Sequence, residues 1–365
     1  IDRLSDSEIS VADQSRLQGL CSKPSGRLSS FRSASLPRLT QSPSKLSEIH
    51  RRFSDQSKCT KPYRAFLLTE IEVLEELGQG FYGVARKVRN RSNGELMVMK
   101  EVREMNDASK KTFRKEIQLL RRIQHPNILR FVGVVFQKQD KLSFIVEYAS
   151  GGSLRTVIHD FEKDIPWDTR VSYAKDIAAG MTYLHSLNVI HRDLNSHNCL
   201  VKEDGKVVVA DFGLSHVLLF DETHVGVRKR RGNLKHLISR TEPSNEDFID
   251  EIQQRFNIVG SPFWMAPEML KNKPYDHRVD IFSYGIILCE LIGRVDADPD
   301  YLPRTSDFGL NVKMFKQNLC SPQCPNNFVK LAVSCCQIEP MLRPSFAEIV
   351  PKLTGLEILL KSKCN

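Results

Sequence analysis

"HRDLNSHN", residues 191–198, sets one carboxylate, Asp193, and two amides, Asn195 and Asn198, in a short polar loop. A stretch with apolar residues at a period near 3.6, "PWDTRVSYAKDIAAGMTYLHSL" (166–187), leads into it, and the apolar run "KVVVAD" (206–211) follows. The first reads as a helix and the second as a buried strand ending on an acid. A polar loop fixed between two elements that must bury apolar faces is a place where reactive groups are held on a rigid frame.

Upstream the pattern is different. "IEVLEELGQGFYGVARKV" (71–88) reads as strand, glycine turn, strand, and "ELMVMKEV" (95–102) as the next strand after the Asn93-Gly94 turn. "SKKTFRKEIQLLRRI" (109–123) places Phe113, Ile117, Leu120 and Ile123 at helical spacing, and "ILRFVGVVFQ" (128–137) and "KLSFIVEY" (141–148) add two strands. After "ASGGSL" (149–154) the periods are helical, in "RVDIFSYGIILCELIGRV" (278–295), "NNFVKLAVSCCQ" (326–337) and "SFAEIVPKLTGLEILLKS" (345–362). The pattern predicts an α+β chain of two lobes. A small antiparallel sheet with one main helix spans about 63–147, and a larger α-helical lobe spans about 152–365.

Composition sets the bounds. With 365 residues, 41% of them hydrophobic, the chain can bury a sizeable core. Residues 1–62 differ: the first 60 hold 15 serines and no Trp or Tyr, which predicts a disordered, basic regulatory arm. Those 60 residues carry ten Lys/Arg against six Asp/Glu, so part of the net charge of +9 belongs to the arm, and Phe31 and Phe53 are their only aromatic residues, too few to interleave and stack on successive bases. Nucleic acid is therefore not the expected partner. Nine scattered cysteines and the lack of an apolar leader predict reduced thiols in cytosol or nucleus. Cys320, Cys324, Cys335 and Cys336 match no common zinc spacing and read as buried structural thiols. No run reaches the ~20 apolar residues of a membrane span; "VDIFSYGIILCELIG" is bracketed by Asp280 and Glu290 and suits a core helix. The start at Ile1 rather than Met reads as a piece of a longer protein.

The side chains with chemical potential fall in a fixed order. Gly78-Gln79-Gly80 with Gly83 lets backbone N–H groups approach phosphate oxygens, although a bare glycine hairpin reads equally well, and no helix follows to support a dinucleotide site. Lys100, at the end of "LMVMK", is a strand lysine suited to phosphates, with Glu116 on the next helix as its partner. Asp193 can accept a hydrogen bond from an acceptor hydroxyl, while Asn198 and Asp211, of Asp211-Phe212-Gly213, offer oxygens to Mg²⁺. "MAPE" (265–268) follows, with Asp280 and Arg343 downstream.

In this order the motifs resemble the eukaryotic protein kinases over roughly residues 71–360. "MVMKE", "HRDLNSHNCLV", "VVVADFGL", "WMAPEM" and above all "ADPDYLPRTSDFGLNV" are similar to the LIM-domain kinases, with the testis-specific kinases as near relatives. The resemblance implies an ATP- and Mg²⁺-dependent transfer of the γ-phosphate to serine of cofilin-type actin-depolymerising factors, in a cytoplasmic, cytoskeleton-associated protein. It implies Gly78, Gly80 and Gly83 over the phosphates and Lys100 paired with Glu116. Asp193 becomes the base, and Asn198 and Asp211 the metal ligands. Ala85, Val98 and Leu200 sandwich the adenine, and Glu147 and Ala149 offer it backbone hydrogen bonds. Val146 stands before the hinge where the family usually has threonine, and Glu268 with Arg343 matches a buried structural pair.

The chain departs from the family in several places. Where serine/threonine kinases place Lys and tyrosine kinases place Arg, it has Asn195 and His197. Asn195 is expected to hydrogen-bond phosphate or acceptor backbone; His197 either lends charge or packs the loop. Within the activation segment, 211–268, 56 residues separate Asp211 from Glu268, and loops beyond about 12–15 residues are functional or disordered. It holds "RKRR" (228–231), which reads as a nuclear-import signal, a docking patch or a solvated loop, and Asn257 where the family's activating threonine would stand. That leaves constitutive activity, or control through Ser239, Thr241 or Ser261. In the arm, Arg32-Ser33-Ala34-Ser35-Leu36-Pro37 fits a 14-3-3 site once Ser35 is phosphorylated, and Arg51-Arg52-Phe53-Ser54 fits a basic-directed kinase. The alternatives are a nucleotide-binding pseudokinase or scaffold, and a dual-specificity kinase of the testis-specific type. None of Lys100, Glu116, Asp193, Asn198 and Asp211 is missing, which favours a catalyst.

Overall fold

"LMVMK" alternates with period two, and in the computed structural model that alternation divides the faces of a sheet. Met97 and Met99 are buried on one face with Phe66, Ile71, Val88, Val135 and Ile145; Val98 packs on the other, with Phe144 and Val146. The structure describes residues 64–80, 83–102, 116–136, 142–217 and 260–364, all within the unit Gln56–Asn365. The arm with Ser35 and Ser54, residues Phe81 and Tyr82, and the segment 218–259 with "RKRR", Ser239, Thr241 and Asn257 lie outside the described residues.

The N-lobe strands are β1 (Arg64–Leu67), β2 (Ile71–Gly80), β3 (Gly83–Asn90), β4 (Leu96–Val102), β5 (Phe131–Phe136) and β6 (Leu142–Glu147), in the order β1-β5-β6-β4-β3-β2. Residues 116–120 form the helix α1. The sheet is not wholly antiparallel as expected: β1 runs parallel to β5, with Phe66 opposite Val135. Its short run carries no clear pattern, because Leu67 and the following Leu68 are exposed while Phe66 alone is fully buried. The partner strand is fitted to it, since a Cβ at Gly133 would lie 2.0 Å from Arg64 O. Only glycine allows that approach.

The C-lobe is built on α2 (Leu154–His159), α3 (Trp167–Ser186), the short strands β7 (Val189–Ile190), β8 (Cys199–Val201), β9 (Val207–Val209) and β10 (His216–Val217), and then α4 (Pro267–Leu270), α5 (Arg278–Gly293), α6 (Val312–Asn318), α7 (Asn326–Cys335) and α8 (Phe346–Cys364). Every residue of α5 from Val279 to Ile292 is buried, so this helix is the axis around which the lobe packs. Against it Cys335 and Cys336 close in so tightly that a Cβ at Gly285 would meet Cys336 Sγ at 2.6 Å. Burial pushes the Cys324 thiol up to about 12 and that of Cys335 well above its ordinary value, which keeps both as unreactive thiols. Among the described residues no helix is long and apolar enough to cross a membrane.

Because Phe66 is the largest side chain that β1 contributes to the core, Phe66→Ala should lower unfolding stability by about 3–5 kcal/mol. Urea denaturation checks this; an unchanged midpoint would mean that β1 is not part of the folded lobe.

Candidate active site

The site starts from a buried carboxylate. Asp280, in the first turn of α5, is wholly buried. Its Oδ2 and Oδ1 accept the backbone N–H groups of His191 and Arg192, each at 2.9 Å, and His185 Nε2 lies 2.9 Å from Oδ2. Burial alone would raise its pKa, but His185 and His191 outweigh burial and hold it below the ordinary carboxylate range. Its contribution to stability is therefore present above the unfolded carboxylate pKa and is lost as pH falls through the folded value. The two backbone bonds hold Arg192 at φ 66°, a left-handed conformation that a non-glycine residue adopts only under constraint. His191 Nδ1 accepts from Asp193 N at 3.3 Å, which makes Nε2 the protonated nitrogen that donates to Ala210 O at 3.0 Å.

Asp193 is then fixed by three donors. Oδ1 accepts from Ser261 N at 2.8 Å and from Asn195 Nδ2 at 3.1 Å, and Oδ2 accepts from Asn198 Nδ2 at 3.0 Å. Asn195 is 2% exposed, and its amide is committed inside the loop. Nδ2 also reaches Asp193 O at 3.0 Å and Ser261 Oγ at 3.2 Å, while Oδ1 accepts from His197 N and Asn198 N. Two N–H bonds already serve three acceptors, so the expected contact from Asn195 to phosphate or acceptor backbone is not what this geometry provides. It braces the carboxylate instead.

Lys100 lies opposite Ala85 and Phe144 in the sheet register, which aims it into the cleft. Its Nζ is 3.4 Å from Asp211 Oδ2 and 3.6 Å from Glu116 Oε1. Burial pulls its pKa down, but Asp211 and Glu116 outweigh burial and leave it raised. Burial also raises Glu116, against the pull of Lys100, and among the described residues Glu116 Oε1 has no hydrogen-bond partner. Asp211 ends lowered: burial opposes ionisation, and Lys100 and the Gly213 N–H overcome it. The raised lysine stabilises below its unfolded pKa and the depressed aspartate above its own, so both contributions are present across neutral pH.

One cleft of about 870 Å³ is lined by Gly78, Gln79, Gly83, Ala85, Val98, Lys100, Glu116, Val146, Glu147, Ala149, Asp193, Asn195, Asn198, Leu200 and Asp211. Gly80 ends β2, two residues beyond Gly78. Among the described residues a Cβ at Gly78 would meet no atom within 4 Å, so packing against them does not explain the glycine, whereas close approach of a ligand would. Glu147 also spans the hinge, accepting from Arg130 N at 3.0 Å and from Lys202 Nζ at 3.1 Å. Asn198 spends its Nδ2 on Asp193, which leaves its oxygen, and the side chain of Asp211 is 46% exposed. Two hard oxygen donors suit Mg²⁺, which takes its remaining ligands from phosphate and water.

The sequence reading did not name Phe144, Leu129 or Tyr148, which also line the cleft. Phe144 was within reach, because it shares the face of Val146 at period two. Ser261 was named only as a phosphorylation site, and here the geometry corrects the reading. Its N–H binds Asp193 Oδ1, and Gly260 before it, at φ 109°, lies so close that a Cβ would stand 2.6 Å from Arg192 O. A phosphate on Ser261 would place negative charge beside the Asp193 carboxylate, which opposes activation by that route. His197 is lowered by burial and by Arg155, and its ring lies edge-on to Trp264 at 5.8 Å. Both influences favour the neutral imidazole, and the ring packs the loop. Arg343 clasps Glu268 in a buried two-bond pair at 2.6 and 2.8 Å, away from the cleft.

The family described as the protein kinase domain matches residues 71–352. The chain is 46% identical over 291 residues to LIM domain kinase 1 of Drosophila melanogaster, across 78% of this chain and 23% of that protein. To dual specificity testis-specific protein kinase 2 it is 42% identical in Mus musculus and 41% in Homo sapiens, across 75% and 79% of this chain and 43% and 46% of theirs. It thus spans less than half the length of each of these relatives. The chain belongs to the protein kinase family. Within that family it lies on the branch of the LIM and testis-specific kinases.

Asn195→Ala should lower kcat by about 10–100-fold with little change in the KM for ATP, because it strips a donor from Asp193 and takes the side-chain acceptor from the His197 N–H. His197→Gln should leave the pH profile between about 6 and 7 unchanged, in keeping with a neutral imidazole. Steady-state kinetics check both, and a wild-type kcat in Asn195→Ala would contradict the bracing role.

Proposed function

We propose that this chain is an active ATP- and Mg²⁺-dependent protein kinase that phosphorylates serine on actin-depolymerising factors of the cofilin type, in the cytoplasm at the actin cytoskeleton. The observation that carries the reading is the cleft in which Lys100, Asp211, Asn198 and Asp193 converge, with Asp193 held by three donors and Lys100 poised between two carboxylates. A pseudokinase has no need of all these groups.

Each residue has a role in the proposal. Gly78, Gly80 and Gly83 offer backbone N–H groups to the nucleotide's phosphates, and Ala85, Val98, Val146 and Leu200 provide apolar walls for its base. Glu147 and Ala149 offer the base backbone hydrogen bonds. Lys100, held by Glu116, contacts the phosphates. Asn198 and Asp211 hold Mg²⁺, which when bound neutralises charge on the phosphates. Asp193 accepts the hydrogen bond of the acceptor hydroxyl and orients it for in-line attack. The cofilin-type acceptor is supported by the resemblance of "HRDLNSHNCLV" and "ADPDYLPRTSDFGLNV" to the LIM kinases. A second acceptor, tyrosine, is favoured by the relatives named as dual specificity kinases. Phosphorylated Ser35 would recruit 14-3-3.

Incubation with cofilin and labelled ATP should give incorporation that maps to serine and is lost in Asp193→Ala. Equal labelling by wild type and variant, or none by either, would overturn the proposal.

A further inference from the structure

The cleft runs on past Asp193 and Asn195 to Ser153, Thr156 and His197. A protein acceptor whose hydroxyl reaches Asp193 lays its flanking residues along this end. Ser153 and Thr156 present hydroxyls there, 2.8 Å apart and hydrogen-bonded to each other, and His197 presents its imidazole. Behind His197 stands a charged pair that the roles above do not use. Arg155, in the first turn of α2, donates through Nη2 to Oδ2 of Asp296, which lies just beyond α5.

Both partners are held in place. Arg155 N donates to Ser196 O at 3.0 Å, which ties the start of α2 to the loop of Asp193, and Arg294 Nε donates to Ile158 O at 3.0 Å in its last turn. Asp296 Oδ1 accepts from Asp298 N at 3.1 Å, so each of its oxygens has a donor. Burial opposes ionisation of Asp296, but Arg155 and the Asp298 N–H overcome it and leave its pKa lowered. Arg155 Nη1 also donates to His159 Nε2 at 3.4 Å; burial and Arg155 both favour the neutral form of that ring, as they do for His197.

A free carboxylate beside the acceptor's path would draw an arginine or lysine. The carboxylates that act on His197 are Asp296 and the catalytic Asp193, and Arg155 has already taken Asp296. Glu290, which also acts on Arg155, is wholly buried, with its oxygens bonded by Ser196 and Trp264. A cationic acceptor side chain arriving here gives up its water and meets a guanidinium and two imidazoles instead of a free acid. We propose that Arg155 is a specificity-determining residue for the protein acceptor: by engaging Asp296 it withholds that carboxylate, so the cleft discriminates against arginine and lysine beside the phosphorylated hydroxyl. Its role is in the choice of acceptor and not in the transfer itself. The inference deepens the kinase reading and rests on it, and acceptor binding tests it without catalysis.

The test uses the 365-residue chain with Arg155→Ala, Arg155→Gln and the Arg155→Ala/Asp296→Asn pair. The acceptors are cofilins in which a residue flanking the mapped serine is replaced, position by position, with Arg, Ala or Glu. In the wild type, Arg should lower kcat/KM about fivefold relative to Ala at one flanking position or more, with Glu tolerated. Arg155→Ala and Arg155→Gln should reverse that order, while kcat and the KM for ATP with the Ala acceptor stay within about twofold. The pair should lose the reversal, because Asp296→Asn removes the carboxylate that Arg155→Ala sets free. Where Arg155→Ala fails to fold, Arg155→Gln, which keeps the stem of the side chain, carries the comparison. The same order of Arg and Ala in wild type and variants, or a reversal that survives in the pair, would overturn the inference. If the wild type phosphorylates no cofilin, the kinase reading fails at that acceptor, and titration of the same cofilins decides separately. Tighter binding of the Arg cofilin to Arg155→Ala than to wild type is then expected, and equal Kd values would overturn the inference.

Discussion

Asp280 ties the buried helix α5 to the backbone of the loop that carries Asp193, and the rest of the site depends on that tie. A carboxylate that accepts the N–H groups of two successive residues fixes the peptide plane between them as well as their position. Arg192 is held left-handed by it, so Asp193 emerges in one direction, toward Asn195, Asn198 and Ser261. Because α5 is buried along its length, the tie moves only if the lobe unfolds locally.

On the nucleotide side the constraint is electrostatic. Lys100 stays charged in a buried setting because two carboxylates face it, and the distances, 3.4 Å to Asp211 and 3.6 Å to Glu116, bind it fully to neither. Among the described residues Glu116 Oε1 is left without a hydrogen bond. A buried, unsatisfied acceptor beside a lysine shared with a second carboxylate suits a site in which the lysine shifts its contacts when phosphate arrives. The apolar walls, Val98 and Val146 among them, belong to the same core that runs through the C-lobe.

Much of this was legible in the sequence, for identifiable reasons. The strands that bear Lys100 and Val146 alternate cleanly, so period two alone assigned their faces. The helices α3, α5, α7 and α8 are long enough for the 3.6 period to stand out. Lys100, Asp193, Asn198 and Asp211 were recognisable because each sits at the end of an apolar element, where a polar residue interrupts the pattern. What escaped was non-local. β1 is four residues long, with one buried side chain, and its partner β5 lies more than sixty residues on, so its parallel pairing left a trace only in Gly133. The role of Ser261 is carried by its backbone N–H, which no side-chain pattern reports. Asn195 looked like a missing charge because the sequence shows residue types but not which hydrogen bonds they have already made. The arm and the segment 218–259, with Ser35 and Asn257, lie outside the described residues.

The central claim is that the tie from Asp280 orients Asp193 for transfer without shaping the nucleotide pocket. Asp280→Asn tests it most directly, because the amide keeps the volume of the carboxylate but turns one acceptor of a backbone N–H into a donor. Single-turnover transfer of labelled γ-phosphate to protein should fall by about 10²-fold or more, while the affinity for ATP, measured by titration, is retained. Transfer at the wild-type rate in a folded Asp280→Asn protein would contradict the account.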